Sequence, residues 1–424
     1  MTEKEKTNFE KNIYDFLVKD FSPRFGKVQP SVPSNQLWQK LNNLGTQLWL
    51  DTGNIEEIEK YWTQQFSAVT TNNTLLNKEV QSGRYDNLIS DIAALIDQYN
   101  INEHQRMLEF AFVLNACHGL RLVEKFDAYV SVEEHTALAG DVRLAVDYAR
   151  RYHAICPKRF IVKIPFTPAG LLATRKVSSQ GIPVNHTLGF SARQNYVIAR
   201  IGRPKYVNVF LGRLNSFVAD NGLGDGQYVG EKAALASNKI INRLQKTLSI
   251  PTHQIAASLR DGQQVINLAG VNIMTMPPKV ADQFLNMGTQ PEQIINQTQQ
   301  EYLPGVTKQE DITKFGLDSL WEVPDRLIKC IDKLDEENLD SYTPDDLIDF
   351  FRENECEDIL VRWANEDIKM SMDEGKIPQL ENWKKVLIKR TIGLDSLMNL
   401  AGLCSFTNDQ AEMDKRVKSV LEKT

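Results

Sequence analysis

The chain has 424 residues, 42% hydrophobic and 25% charged, with a formal net charge of −6 at pH 7. That length allows one large domain with appendages or two to three average domains, and the acidic balance argues against nucleic acid as the main partner. Five separated cysteines (Cys117, Cys156, Cys330, Cys356, Cys404) form no CxxC pair, and the polar N-terminus carries no secretory pattern, so a reducing, cytoplasmic setting is expected.

No apolar run approaches membrane-spanning length, so no membrane association is expected. Six scattered histidines show no metal-ligand spacing, and neither a protein-held metal nor a cofactor is expected.

Residues 1–45 are expected to form a helical preface, with a helix over 5–19. Strand-like runs recur from there to residue 286. The first is Gln47 to Leu50, ending at Asp51. The second is Ala68 to Thr71, ending at Asn72. Helical patterns over 75–100 and 103–120 lead to the third, Ala128 to Ser131, ending near Glu133. The fourth is Phe160 to Pro165, a β-branched run with Lys163 inside it. Thr167-Pro168 then gives a helix start signal. The fifth strand is Ile182 to Thr187, followed by a helix over 191–201. The sixth is Tyr206 to Phe210, the seventh Gln254 to Ala257 ending at Ser258, and the eighth Asn272 to Met276. Eight strand–helix alternations without hairpin turns predict a (β/α)8 barrel over 46–286, with an open doubly wound sheet as second choice.

Residues 287–424 change character. The Gln/Asn-rich stretch 288–300 reads as a linker or a polar helix. Runs over 323–334, 344–351, 357–372 and 393–403 place apolar residues at helical spacing, so an all-helical C-terminal extension is expected.

In such a barrel, chemistry is assembled at the C-terminal ends of the strands. Here those ends carry Asp51, Asn72, Glu133, Lys163, Asn185, Thr187, Asn208 and Ser258, with Arg213 and Arg260 close behind. A converging ring of charges and amides destabilises a barrel unless it binds something polar. Lys163 is the most informative member. A buried strand strips hydration from an ammonium and favours the free amine, the nucleophile of Schiff-base chemistry. Its plain alternative is a strand-end lysine reaching solvent along its stem. Asp51 is equally consistent with capping the next helix, Asn72 and Asn73 with turns, and Glu133, beside Glu134, with a solvated carboxylate. His186 faces away from Asn185 and Thr187 and reads as packing. Arg213 and Arg260 fit a phosphate site better than bare surface. The run Gly222-Leu223-Gly224-Asp225-Gly226 looks phosphate-like, but no strand precedes it and no Lys-Ser/Thr follows, so a flexible loop is expected.

Seven segments, in order, resemble the strand motifs of transaldolases: Leu48-Trp49-Leu50-Asp51-Thr52-Gly53, Val69-Thr70-Thr71-Asn72, Val130-Ser131-Val132-Glu133, Val162-Lys163-Ile164-Pro165, Asn185-His186-Thr187-Leu188-Gly189-Phe190-Ser191, Phe210-Leu211-Gly212-Arg213 and Ala257-Ser258-Leu259-Arg260. The resemblance covers residues 45–285. The segment 393–410 is also similar to C-terminal extensions of some bacterial members.

The resemblance implies a lysine Schiff base without metal. Lys163 would be the nucleophile and Asp51 the acid/base at the C4 hydroxyl. Glu133 would move protons through a water held with Thr187. Asn72 and Asn185 would hold hydroxyls of a three-carbon unit, with Asn208 beside it, while Arg213, Ser258 and Arg260 would grip a sugar phosphate. Two positions depart from the family pattern: Asn73 replaces a usual proline, and Asn208 a usual serine, which bears on donor preference. The related fructose-6-phosphate aldolases typically carry glutamine and tyrosine where Glu133 and Phe210 stand, so both positions favour transfer. The expected activity is transfer of a dihydroxyacetone unit between sugar phosphates in the pentose phosphate pathway. The alternatives are a fructose-6-phosphate aldolase-like enzyme and a non-catalytic sugar-phosphate-binding scaffold. Oligomeric state stays open, a homo-oligomer included.

Overall fold

The computed structural model describes residues 2–26 and 32–423. Eight short strands close into a parallel barrel in chain order: β1 (Gln47–Asp51), β2 (Phe66–Thr70), β3 (Tyr129–Glu133), β4 (Phe160–Pro165), β5 (Val184–Thr187), β6 (Tyr206–Phe210), β7 (His253–Ala257) and β8 (Ile273–Met276). Helices lie between successive strands, which makes this a (β/α)8 barrel. β4 and β6 match the sequence reading. β2 starts two residues earlier and ends at Thr70, which leaves Asn72 as the N-cap of the next helix, Asn73–Gln81. β5 starts at Val184, after Pro183, a residue with no N–H to give a ladder.

Period-two alternation sorts the barrel interior into layers. Trp49, Ala68, Ile161, Tyr206, Ile255, Ala257 and Ile273 form one buried apolar cluster, in which Trp49 and Tyr206 meet edge to face at 4.9 Å. Two residues further along their strands stand Asp51, Thr70, Lys163, Asn208 and Thr275. The same face therefore changes from apolar plug to polar layer as it nears the C-terminal strand ends. Outward residues such as Leu48, Leu50, Val69, Val130, Val132, Val162 and Ile164 pack against the helical shell.

Additional helices flank the barrel on both sides in sequence. Glu3–Val18 opens with a Thr2/Glu5 capping box and buries Phe9, Ile13 and Leu17. After β8 and its helix Pro278–Asn286, the polar stretch holds only the 3-10 turn Pro291–Gln293, so it is a linker and not a helix. Helices follow at Gln309–Lys314, Asp325–Leu334, Pro344–Glu353, Asn365–Glu374, Leu380–Ile388 and Leu394–Leu421.

Three expectations change. The run over 357–372 is helical only from Asn365. Before it, Asp358 turns its carboxylate to Arg193, and its carbonyl accepts from Gly393 N and Ser396 Oγ, contacts a helix would forgo. The run over 393–403 is the start of one 28-residue helix, buried on several sides and so without a single amphipathic stripe. The glycine loop is braced: Gly226 N donates to Gly305 O at 3.0 Å, Gly305 N to Gln227 O at 2.7 Å, and Thr307 N to Leu223 O at 2.8 Å. A Cβ on Gly224 would lie 2.1 Å from Gly305 O, so glycine is required there. Among the described residues no helix is long and apolar enough to cross a membrane.

Candidate active site

The register sets the first pairings. Glu133 on β3 is opposite Lys163 on β4, and Lys163 is opposite Asn185 on β5. Lys163 is 4% exposed, so the solvated strand-end alternative is set aside. Its Nζ donates to Thr71 O at 3.2 Å and lies 3.7 Å from Glu133 Oε1. Glu133 Oε2 accepts from Asn73 N at 3.0 Å, so this carboxylate is buried and hydrogen-bonded, not solvated. Burial pushes the Glu133 carboxyl up; Lys163 and the Asn73 amide oppose the shift. Glu134 is buried as well. Burial and the neighbouring Glu133 hold its carboxyl well above the usual range.

Asp51 does not cap the following helix, because Asn54 does so through Glu57 N. Instead Asp51 Oδ1 accepts from Thr70 Oγ1 at 2.7 Å, and Thr70 Oγ1 also meets Thr275 Oγ1 at 2.7 Å. Burial raises the Asp51 carboxyl, opposed by Lys163, Thr70 and Arg260. Asn72 both caps its helix, accepting from Leu75 N at 2.8 Å, and stands half-buried at the mouth.

On the other side runs an amide chain. Asn185 Nδ2 donates to Ser131 Oγ at 3.2 Å, Asn208 Nδ2 to Asn185 Oδ1 at 3.1 Å, and Gly189 N to Asn208 Oδ1 at 3.3 Å. Thr187 Oγ1, beside them in sequence, is buried without a hydrogen-bond partner. His186 points outward, bonded through Nδ1 to Thr174 Oγ1 at 2.8 Å, as packing.

The two arginines differ. Arg213 is buried with Nη1 unpartnered, its guanidinium 5.6 Å from the Phe210 ring centroid. Burial and Arg260 pull it down to about 10, against Asp409 and Glu133, so it is still a cation at neutral pH. Arg260 is exposed at the rim. A Cβ on Gly212 would lie 2.7 Å from Arg260 Cγ and 2.2 Å from Ser258 O, so a glycine admits both. Ser258 and Leu188, at the ends of β7 and β5, hold left-handed backbone at φ +64° and +65°, a strain that gathers at functional sites.

Several participants carry weaker signals in the sequence. Thr70 and Thr275 stand on the inward face by period two, a usable signal. The Asn73 amide and Ser131 Oγ carry no side-chain signal of their own. Phe406 and Asp409 come from the C-terminal helix, which crosses the mouth. Phe406 lies 5.6 Å from Lys163 Nζ and 5.5 Å from Arg213 Cζ, measured to the ring centroid, and Asp409 accepts from Thr74 Oγ1. Among the described residues no cluster of three or more His, Cys, Asp or Glu could hold a metal ion.

A buried amine near two carboxylates, with an amide chain and a guanidinium bearing an unused donor in the same barrel mouth, can move protons and hold a polar, anionic ligand. Comparison with known proteins agrees with that class. Residues 48–322 match the family Transaldolase/Fructose-6-phosphate aldolase. A probable transaldolase of Thermus thermophilus is 34% identical over 243 residues, 56% of this chain and 90% of that one. A transaldolase of Chlamydia felis is 28% identical over 241 residues, 55% of this chain and 72% of that one. A probable transaldolase of Nitrosopumilus maritimus is 28% identical over 242 residues, 56% of this chain and 86% of that one. The chain belongs to the transaldolase/fructose-6-phosphate aldolase family, and it is an enzyme of the transaldolase/aldolase type.

Proposed function

We propose that this enzyme is a transaldolase working through a Schiff base on Lys163. It moves a dihydroxyacetone unit from sedoheptulose 7-phosphate or fructose 6-phosphate to glyceraldehyde 3-phosphate or erythrose 4-phosphate, in the cytoplasmic pentose phosphate pathway. Residues 46–286 are the catalytic barrel, with 1–45 and 287–424 as extensions. The observation that carries this reading is the placement of Lys163 Nζ, buried at the mouth end of β4 and 3.7 Å from Glu133 Oε1.

The amine adds to the ketose carbonyl and water leaves, giving an iminium. Asp51 takes the proton of the C4 hydroxyl as the C3–C4 bond breaks, and the bonding electrons pass into the iminium. The aldose phosphate departs, and an enamine is left on Lys163. An acceptor aldehyde then reverses these steps. Glu133 and Thr187 serve the protons of iminium formation and release. Asn72 and Asn185 hold the hydroxyls of the three-carbon unit, with Asn208 beside it and Phe210 lining the substrate site. Ser258, Arg213 and Arg260 position the phosphate end, which supplies binding energy away from the reacting bond.

The test is borohydride trapping with fructose 6-phosphate, read by peptide mass spectrometry. A three-carbon adduct on Lys163 is expected. Absence of an adduct with sugar-phosphate binding intact would leave the scaffold reading, and release of dihydroxyacetone at the full rate without acceptor would leave the aldolase reading.

A further inference from the structure

The C-terminal helix Leu394–Leu421 is tied across the barrel mouth at successive points. Asp395 Oδ2 accepts from Ser191 Oγ at 2.6 Å, after β5, and Asn399 Nδ2 donates to Leu188 O at 3.1 Å. Gly402 admits the closest approach, because a Cβ there would lie 2.8 Å from Leu188 Cδ2 and 3.5 Å from Arg213 Nη1. Beyond it, Asp409 pairs with Thr74 after β2, Asn77 Nδ2 donates to Glu412 at 3.2 Å, and Asp414 meets His135 after β3 at 3.2 Å. The helix thus roofs the β2, β3 and β5 side of the mouth. Residues of the opposite side keep surface: Asp51, Phe210 and Ser258 are partly accessible and Arg260 is exposed, whereas Lys163, Glu133 and Asn185 are buried.

Phe406 is the point where this roof meets the chemistry. Its ring is 3% exposed and lies at similar distances from Lys163 Nζ and Arg213 Cζ, 5.6 and 5.5 Å. Phe406 therefore adjoins both the amine and the guanidinium that the Schiff-base reading assigns to one sugar phosphate. The family match ends at residue 322, so Phe406 lies outside it.

We infer that Phe406 walls the substrate channel and sets how the three-carbon unit on Lys163 is partitioned between transfer and release. This rests on the Schiff-base reading above. Transfer forms a carbon–carbon bond from the enamine to an acceptor aldehyde. Release follows another course: the enamine carbon takes a proton, water adds to the iminium carbon, the C–N bond breaks with its electrons returning to nitrogen, and free dihydroxyacetone leaves. An apolar ring at that distance denies water one approach to the iminium carbon.

The test measures free dihydroxyacetone against transfer product in the full chain, with fructose 6-phosphate as donor and glyceraldehyde 3-phosphate as acceptor. Phe406→Ala is expected to raise the ratio of release to transfer on the order of tenfold, with the Lys163 borohydride adduct intact. Phe406→Leu, which keeps most of the bulk, is expected to fall between, and it carries the test alone if the alanine variant does not fold. An intact adduct with an unchanged ratio in the folded variants overturns this inference and leaves the Schiff-base reading standing. No adduct in the unaltered chain overturns both.

Discussion

Glu133 Oε1 lies 3.7 Å from Lys163 Nζ, across neighbouring strands in matched register. Burial raises the Glu133 carboxyl, and the lysine opposes that shift by favouring its charged form. Glu133→Gln keeps the shape and one acceptor oxygen for the Asn73 amide but removes the proton carrier. The expected result is a fall in kcat of about 10²–10⁴-fold, with the far-ultraviolet circular dichroism unchanged. Turnover at the parent rate would remove Glu133 from proton transfer.

The Asn73 amide, at the position where a proline is usual in the family, donates to Glu133 Oε2 at 3.0 Å. Proline has no N–H. The backbone tolerates it here, because Asn73 is the first helical residue and Asn72 before it is extended at φ −156°, ψ 171°. That hydrogen bond favours the charged carboxylate, so its loss raises the Glu133 carboxyl further. A base with a raised pKa loses its charge at higher pH. In Asn73→Pro the acid limb of the kcat–pH profile should move up by about one to two pH units, the equivalent of a hydrogen bond to a charged group. Asn73→Ala retains the amide and should leave the limb in place. Equal shifts in both variants would assign the effect to the side chain.

Arg213 holds a buried guanidinium nitrogen without a partner, which costs stability in the absence of ligand. Arg213→Met should therefore raise the unfolding free energy of the ligand-free chain by about 1–3 kcal/mol, measured in urea. It should also lower kcat/KM for fructose 6-phosphate by about 10–150-fold, the worth of a charge-assisted hydrogen bond. Unphosphorylated fructose should be little affected. An equal loss for both sugars would make Arg213 a packing residue.

The barrel was legible because strand-like runs alternate eight times with helical patterns, and the polar layer because those runs end in charged, amide or hydroxyl residues. Lys163, Glu133, Asp51 and Asn208 sit two residues beyond apolar or small inward residues, and a strand that turns polar at its C-terminal end announces itself. Contacts made by backbone or from far away were not legible. The Asn73 amide looks the same in any sequence. Phe406 lies 243 positions from Lys163 in the numbering, inside a helix buried on several sides, so no stripe distinguishes its mouth-facing residues from its core-facing ones. The loop Gly222–Gly226 conceals its rigidity for the same reason: its brace, Gly305, comes from a linker with no pattern of its own.

The roof is anchored by a buried ionic cluster. Arg193 donates to Asp395 Oδ2 through Nε at 2.8 Å, to Asp395 Oδ1 through Nη2 at 2.6 Å, and to Asp358 Oδ2 through Nη1 at 2.6 Å. Removing Arg193 from this cluster strands two buried carboxylates, which costs about 3–5 kcal/mol. Arg193→Met is expected to lose that much in urea unfolding. The triple variant Arg193→Met, Asp358→Asn, Asp395→Asn removes all three charges and should recover most of it. A triple variant as unstable as the single one would mean that packing, not charge, holds the helix start.

Two buried histidines predict how stability follows pH. Burial pulls His118 down to about 4 and His186 to about 3. Both stay neutral in the fold, while unfolded histidine takes a proton near pH 6.5. Below that value the unfolded chain binds more protons than the native one, so native stability falls as pH drops from 6.5 toward the folded values. Each histidine contributes a slope of about 1.4 kcal/mol per pH unit. Asp51, Glu133 and Glu134 act with the opposite sign. Their raised carboxyls hold protons in the fold that the unfolded chain has released, so their contribution is lost as pH rises through the folded values and returns on acidification. His186 bonds Thr174 through Nδ1, which asparagine can imitate. His186→Asn should therefore flatten the stability–pH curve between pH 6 and 4 by about one histidine's slope, measured by urea unfolding at a series of pH values. An unchanged slope would mean that His186 is protonated in the native protein, paired with Thr174 as acceptor.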